Sequence, residues 1–228
     1  MIVVYTATRS FYKYLRTALF SLLRYNSPSM VYLLIEDDAF PYEVDAPHKV
    51  INVSGIRIHG ANADTTFSYM ALLRPMLADI VPEDKVLYID VDTVVCEDLT
   101  LLWETDMTGK YWGAVRESQE WYNPFGHSYY NNGVSLYNLK QMREDGLVSK
   151  LVKELEEVKY RFPDQDVMNK FCVPDKVVRL PVKYNESYAC GFTQRPAIVH
   201  FAGIPNWYGN PYILRHEYLD EVIRQCEG

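Results

Sequence analysis

Asp90 and Asp92 stand two residues apart at the end of the apolar run Lys85-Val86-Leu87-Tyr88-Ile89. Residues i and i+2 of an extended segment point to the same side, so the two carboxylates can share one hard divalent cation. Mg2+ or Mn2+ in oxygen ligands also binds substrate phosphates well. Far along the chain, His200 closes a second apolar run, Ala197-Ile198-Val199, and Gly203 follows it, permitting close approach of backbone. An imidazole nitrogen added to the two carboxylates favours Mn2+ over Mg2+. Taken singly, the Asp-x-Asp is also what a solvated acidic loop looks like, and the histidine what a hydrogen-bonded structural residue looks like.

A scaffold must bring these residues together, and the hydropathy pattern describes one. Ile2 to Tyr5 reads as a strand, Thr6 to Ser10 as a polar loop, and Leu15, Ala18, Leu19, Leu22 and Leu23 as one face of a helix. Apolar runs at Val31 to Ile35 and Lys49 to Val53 predict two further strands, so strands and helices are expected to alternate as in a parallel α/β sheet. A helix is expected around Phe67 to Leu77, bent or ended by Pro75. Lys85 to Ile89 is apolar enough for a central strand. In such sheets ligands collect outside the carboxyl ends of the strands, which is where Asp90 and Asp92 fall.

The second half predicts strands at Trp112 to Val115 and Gly133 to Tyr137, separated by the aromatic, Asn-rich stretch Trp121 to Asn132. A helical region from Leu139 to Tyr160 should break near Gly146, and a helix from Asp164 to Phe171 follows. Short strands near Val177 to Leu180 and Ala197 to Phe201, then an amphipathic helix from Ile213 to Gln225, complete the pattern.

With 228 residues, 48% of them hydrophobic, one large domain is expected over 1–228. Within it a division into halves at 1–95 and 96–228 is expected. The net charge of −7, without a stripe of Lys and Arg, argues against nucleic acid as a partner. The four cysteines are far apart and form no Cys-x-x-Cys pair, so neither a zinc site nor a redox motif is indicated. The opening MIVVYTATRS is strand-like, and no window reaches 18 apolar residues, so no integral membrane segment and a cytoplasmic location are expected. The 19 Tyr and 4 Trp supply rings of the kind that stack on sugars or bases, or simply fill a core.

Ordered blocks along the chain now make a specific resemblance. They are the first strand with its Ala7 loop, Lys85-Val-Leu-Tyr-Ile-Asp90-Val-Asp92-Thr-Val-Val, Tyr130-Asn131-Asn132-Gly133-Val134, Asp164-Gln165-Asp166 and His200-Phe-Ala-Gly203. Over nearly its whole length the chain resembles glycosyltransferase family 8, the retaining family with a GT-A fold: Rossmann-like, α/β, a mixed mostly parallel sheet flanked by helices. The resemblance implies a metal-dependent hexosyltransferase that takes glucose or galactose from a UDP-sugar to a glycan or other hydroxyl acceptor. It makes Asp90, Asp92 and His200 the ligands of Mn2+ or Mg2+, and Gln165, Asp164 and Asn131 the catalytic group at the donor sugar. Thr6, Ala7 and Thr8 from the first loop, Arg74 from the segment before the metal strand, and Val91, Asn132, Gly203 and Asn206 complete the implied donor site.

Two departures from the family pattern stand out. Asn206 occupies the place of a diphosphate-binding lysine, for which Arg74, Arg9 or Arg195 are candidate substitutes, and Thr8 and Ser10 stand where many relatives carry Asp and Asn near uracil and ribose. Retention requires either attack by the acceptor on the face that the diphosphate leaves or a protein nucleophile. Gln165 is a poor nucleophile, which favours same-face attack, with Asp166 or Glu117 the variant. Two rival readings share these residues. Asp90-Val-Asp92-Thr93-Val94 also fits the signature of haloacid-dehalogenase-like phosphatases, although that fold begins with this strand and about 85 residues precede it here. A catalytically weak nucleotide-sugar-binding module is the non-enzymatic alternative.

Overall fold

β1 (Ile2–Ala7) and β2 (Met30–Ile35) are apolar at almost every position because helices or further strands cover both their faces. The computed structural model describes residues 1–65, 68–117, 122–187, 195–203, 221–222 and 224–225. β3 (His48–Asn52), more exposed, forms one edge, and β4 (Lys85–Ile89) lies on the other side of β1. The remaining strands are β5 (Thr93–Val95), β6 (Trp112–Arg116), β7 (Tyr130–Asn138), β8 (Val177–Leu180), β9 (Glu186–Ser187) and β10 (Ile198–His200). The main sheet has the order β3-β2-β1-β4-β7-β6-β8, and β5-β10-β9 form a smaller one. Only β7 runs against its neighbours β4 and β6; the other adjacent pairs of the main sheet are parallel.

This order has a consequence for the site. The chain leaves β1 in one direction, through β2 to β3, and returns to its other side at β4, so the sheet has a switch point between β1 and β4. The carboxyl ends of both strands, Ala7 and Ile89, open on the same crevice. Because β7 is antiparallel, its amino end lies there as well, with Val134 opposite Ile89 and the Asp90 amide donating to the Gly133 carbonyl at 2.8 Å. Against β6 the register jumps, Ala114 pairing with Ser135 but Val115 with Asn131. Such irregularities re-aim side chains near sites, and this one turns Asn131–Gly133 towards the crevice.

Alternation along β1 sends Val3 and Tyr5 to one face and Val4 to the other. On the first face lies α1 (Tyr12–Tyr25), whose Leu15, Ala18, Leu19 and Leu22 are buried at helical spacing. Ser21 of α1 accepts from the Val95 amide at 3.0 Å, and Asn26 just past its end accepts from the Leu99 amide at 2.8 Å. These bonds fasten β5 and the segment after Asp92 to α1. The short helix α2 (Leu77–Ile80) covers the other face together with α4 (Leu139–Glu144), α5 (Leu147–Glu157) and α6 (Pro163–Cys172), while α3 (Thr100–Trp103) packs Leu102 on the α1 face. Gly146, at φ 58°, breaks the helical region where expected.

The structure corrects several expectations. No helix joins β2 to β3; residues 36–47 run as bends, so strict strand and helix alternation is lost there. The segment before β4 is a 3-10 turn, Tyr69–Met76, leading into α2, because Pro75 lacks the N–H that an α-helical ladder would use. β7 begins at Tyr130, three residues before the expected strand, since its Asn residues read as a turn. Phe67 and Trp121 lie outside the described residues, as does most of the expected last helix; Glu221, Val222, Arg224 and Gln225 of it are helical. Among the described residues no helix is long and apolar enough to cross a membrane.

Candidate active site

Asp90-Val91-Asp92 is a turn between β4 and β5, not an extended segment. The Thr93 hydroxyl donates to the Asp90 carbonyl at 2.7 Å and holds it. The two carboxylates therefore converge through a turn, where an extended pair of residues was the expected reason. His200 arrives through the small sheet: β10 pairs antiparallel with β5, His200 opposite Thr93, and the Phe201 amide donates to the Asp92 carbonyl at 2.9 Å. His200 Nε2 lies 3.3 Å from Asp92 Oδ1 and 3.8 Å from Asp90 Oδ2, and one ligand atom from each residue falls within 4.8 Å of the others.

The donor set and its surroundings fit a divalent cation. Two carboxylates and an imidazole are hard and borderline ligands suited to Mn2+ or Mg2+. The backbone beside them is cut back to admit them: a Cβ on Gly133 would lie 2.1 Å from His200 Cε1 and 2.9 Å from Asp90 Oδ2. Val91, between the two aspartates, turns the other way and packs into the core on the α1 face.

Charge in this group is tightly interdependent. Burial pushes the Asp90 carboxyl up, Arg74 and His200 oppose it, and the net direction is upward. Burial also works against the charged form of Asp92, but the His200 contacts outweigh it and hold Asp92 low. For His200, burial favours the neutral ring, yet the neighbouring Asp92 and Asp90 carboxylates raise it. Arg74 ties this group to α6: Nη2 donates to Asp90 Oδ1 at 2.5 Å and Nη1 to Asp164 Oδ2 at 2.7 Å. Thr6 acts through a relay, its hydroxyl 2.8 Å from the Tyr88 hydroxyl, which donates to Asp90 Oδ1 at 2.7 Å.

Pro163 occupies the first turn of α6 and places Asp164 and Gln165 immediately after it, facing the crevice. Asn169, one turn on, locks the helix to β7: its oxygen accepts from the Tyr130 amide at 2.8 Å and its nitrogen donates to the Tyr130 carbonyl at 2.8 Å. Gln165 Oε1 accepts from the Asn132 amide at 3.1 Å. Asp166 faces away and is fully buried, accepting from the hydroxyls of Tyr129 at 2.5 Å and Tyr122 at 2.9 Å and from the Phe162 amide at 3.0 Å. With both oxygens so engaged, Asp166 orders the tyrosines beside the cleft and is not presented to it as a nucleophile.

The cleft, about 350 Å³, is lined by Arg74, Asp90, Asp92, His200 and Gly203. Asn131, Asn185, Asp164 and Gln165 line it too, as do Tyr122, Tyr129, Phe162, Arg116 and Glu117. Asn132 does not reach it: fully buried, its amide donates to Asp164 Oδ2 at 3.0 Å and accepts from Tyr137, so it supports the site from beneath. Ala7 is likewise buried at the end of β1, and Thr8 is half-buried with its hydroxyl 3.0 Å from that of Ser10. Arg9, one candidate for the missing phosphate cation, is bound by Asp37 through Nε and Nη2, and Arg195 is exposed and does not line the cleft. Asn206 lies outside the described residues. Asn185, Tyr88 and Asn169 were not singled out from sequence, since no spacing rule marks an asparagine or tyrosine whose partners are remote in the chain.

A mostly parallel α/β sheet with an acidic, histidine-completed site at its switch point is the architecture of GT-A glycosyltransferases, and this chain has that fold. It belongs to glycosyl transferase family 8, whose sequence profile matches residues 2–206. It is 29% identical over 199 residues to glycosyltransferase GlyE of Streptococcus pneumoniae serotype 4, covering 80% of this chain and 47% of GlyE. It is 35% identical over 121 residues to glycosyltransferase GlyA of the same organism, covering 52% of this chain and 17% of GlyA. The chain thus spans less than half the length of these curated relatives. Among solved structures it is similar to the galactosyltransferase LgtC in complex with donor and acceptor sugar analogs, with a TM-score of 0.71 at 22% identity, covering 99% of this chain and 96% of LgtC. The haloacid-dehalogenase alternative is not favoured by these matches.

Proposed function

We propose that this chain is a retaining, metal-dependent hexosyltransferase that moves glucose or galactose from a UDP-sugar to a saccharide or other hydroxyl acceptor. The observation that carries the proposal is the convergence of Asp90, Asp92 and His200 in one cleft with the Arg74–Asp164 pair and Gln165. Asp90, Asp92 and His200 would hold Mn2+ or Mg2+, the imidazole favouring Mn2+. A divalent cation there supplies positive charge for the diphosphate as its bond to the sugar breaks.

The protein groups divide the remaining work. Arg74 lines the cleft with its guanidinium held between Asp90 and Asp164, and so adds fixed positive charge on the side where the diphosphate would develop its negative charge. Asp164, held by Arg74 and Asn132, is fixed to accept from sugar hydroxyls, and the Gln165 and Asn131 amides flank the same region. The acceptor hydroxyl attacks the anomeric carbon on the face the diphosphate leaves; the old carbon–oxygen bond breaks, the new one forms, and the hydroxyl proton passes to the departing phosphate oxygen. The engagement of both Asp166 oxygens supports this route over Asp166 as a nucleophile. Residues 1–95 form the nucleotide-binding half and 96–228 the sugar and acceptor half of a single domain, with Tyr122, Tyr129 and Phe162 as an acceptor wall.

A panel of nucleotide sugars with Mn2+, read by thermal shift, tests the donor assignment. A matched UDP-hexose at 100 times its Kd should stabilise by about 2.7 kcal/mol and move the midpoint upward, while other bases shift it less. No shift with any UDP-sugar in the presence of Mn2+ overturns that assignment.

A further inference from the structure

Behind His200 runs a chain of side chains that lies outside the Asp90, Asp92 and His200 ligand set. Glu117 Oε2 accepts from Asn131 Nδ2 at 2.9 Å, Asn131 Oδ1 accepts from Asn185 Nδ2 at 2.8 Å, and Asn185 Oδ1 lies 2.8 Å from His200 Nδ1. These residues come from the end of β6, the start of β7, the step into β9 and the end of β10, so four separate segments meet along it. Asn185 and His200 are buried, so water does not compete freely for these bonds.

The direction of every bond can be fixed. Asn131 Oδ1 also accepts from the Gly133 backbone amide at 2.8 Å, and a backbone N–H can only donate. On its other side Asn131 faces the Glu117 carboxylate, which accepts. The Asn131 amide is therefore oriented at both ends. The group that Asn185 turns towards Asn131 Oδ1 must be its nitrogen, and the group it turns towards His200 must be its oxygen. His200 consequently carries a proton on Nδ1, which leaves Nε2, the nitrogen facing Asp90 and Asp92, as the one that would give its lone pair to a cation between them. A metal-ligating histidine needs this tautomer and this ring orientation, and the partner of its other nitrogen sets both.

We infer that Asn185 is a positioning residue that fixes the His200 tautomer for metal binding and, through Asn131, ties the metal site to the donor-sugar side of the cleft. The inference rests on the metal-binding reading proposed above. Asn185→Asp separates the two parts, since an Asp oxygen still accepts from His200 Nδ1 but the side-chain donor to Asn131 Oδ1 is lost, leaving that oxygen only the Gly133 amide.

The test is Mn2+ binding without donor, by the electron paramagnetic resonance signal of free Mn2+, on the purified full chain. Asn185→Ala should weaken Mn2+ binding about 10- to 100-fold. Asn185→Asp should bind Mn2+ like the parent while raising KM for the donor. In a His200→Ala background, Asn185→Ala should cost nothing further, because its effect is routed through that ring. A melting midpoint for each variant guards against a general loss of structure, and nitrogen-15 spectra of the parent with Mg2+ in place of paramagnetic Mn2+ should show His200 protonated at Nδ1 and not at Nε2. Parent-like Mn2+ binding by Asn185→Ala overturns the inference, as does equal weakening by Asn185→Asp or an additive loss without His200. Absence of Mn2+ binding by the parent overturns the metal reading as well.

Discussion

Asp92→Ala is expected to abolish metal-dependent turnover, lowering kcat/KM on the order of 10²–10³-fold or more, the scale set by loss of one preorganised group facing a developing oxyanion. Two arguments make this the largest single-residue effect. Asp92 supplies the carboxylate nearest His200 Nε2, so its removal takes one ligand and also the charge that raises the ring. The cation would then be left with Asp90, which already accepts from Arg74 and Tyr88. The fold should survive, because what Asp92 gives the fold is its backbone carbonyl, which accepts from Phe201 and which alanine retains. The metal-free melting midpoint should move by no more than about 4 °C. Activity assays with Mn2+ beside a thermal melt without it check both halves; turnover at the parent's level contradicts the role assigned to Asp92.

Gly133→Ala is the second large effect, and it comes from space instead of charge. Gly133 sits on β7 with its carbonyl bound to the Asp90 amide, so its backbone cannot retreat without opening the sheet. The added carbon would lie 2.1 Å from His200 Cε1 and 2.8 Å from Nδ1. His200 cannot swing aside cheaply either, held by Asn185 behind and by the pairing of β10 with β5. A displacement near 1 Å in such a site costs about 10²-fold in rate, and overpacking adds about 1–3 kcal/mol of instability. Mn2+ affinity and kcat/KM should therefore fall together in this variant, with a lowered urea midpoint. Parent-like Mn2+ affinity would show that the ring does not occupy the metal-binding position.

Much of this site was legible in the chain, and for partly different reasons than those that operate. The run Lys85–Ile89 is a central strand as its apolar residues require, and Asp90 and Asp92 do converge. They converge because a turn held by Thr93 hands the chain from one sheet to another, and β5, at three residues, is too short for periodicity to show. His200 was recognisable as the end of an apolar run; its place opposite Thr93 follows from a pairing between residues more than 100 positions apart. Asparagine defeats sequence reading most. Asn131, Asn132, Asn169 and Asn185 look alike as letters, yet Asn131 and Asn185 line the cleft, Asn185 also meets His200, Asn132 holds Asp164 from below and Asn169 locks α6 to β7. Their bonds reach partners 15 to 54 residues away in cases such as Asn185, beyond any local rule. The expected helix before β4 failed for a readable reason, since Pro75 had already removed the donor it needed.

The central claim is that the cleft breaks the bond between a hexose and a nucleoside diphosphate with a cation held by Asp90, Asp92 and His200. The most direct measurement is release of UDP from UDP-glucose and UDP-galactose by the purified chain, with Mn2+ and then with excess EDTA. The account predicts UDP release from at least one of the two with Mn2+, its loss in EDTA and its return when Mn2+ is restored. Release that is unaffected by EDTA, or no release from either donor with Mn2+ present, would contradict it.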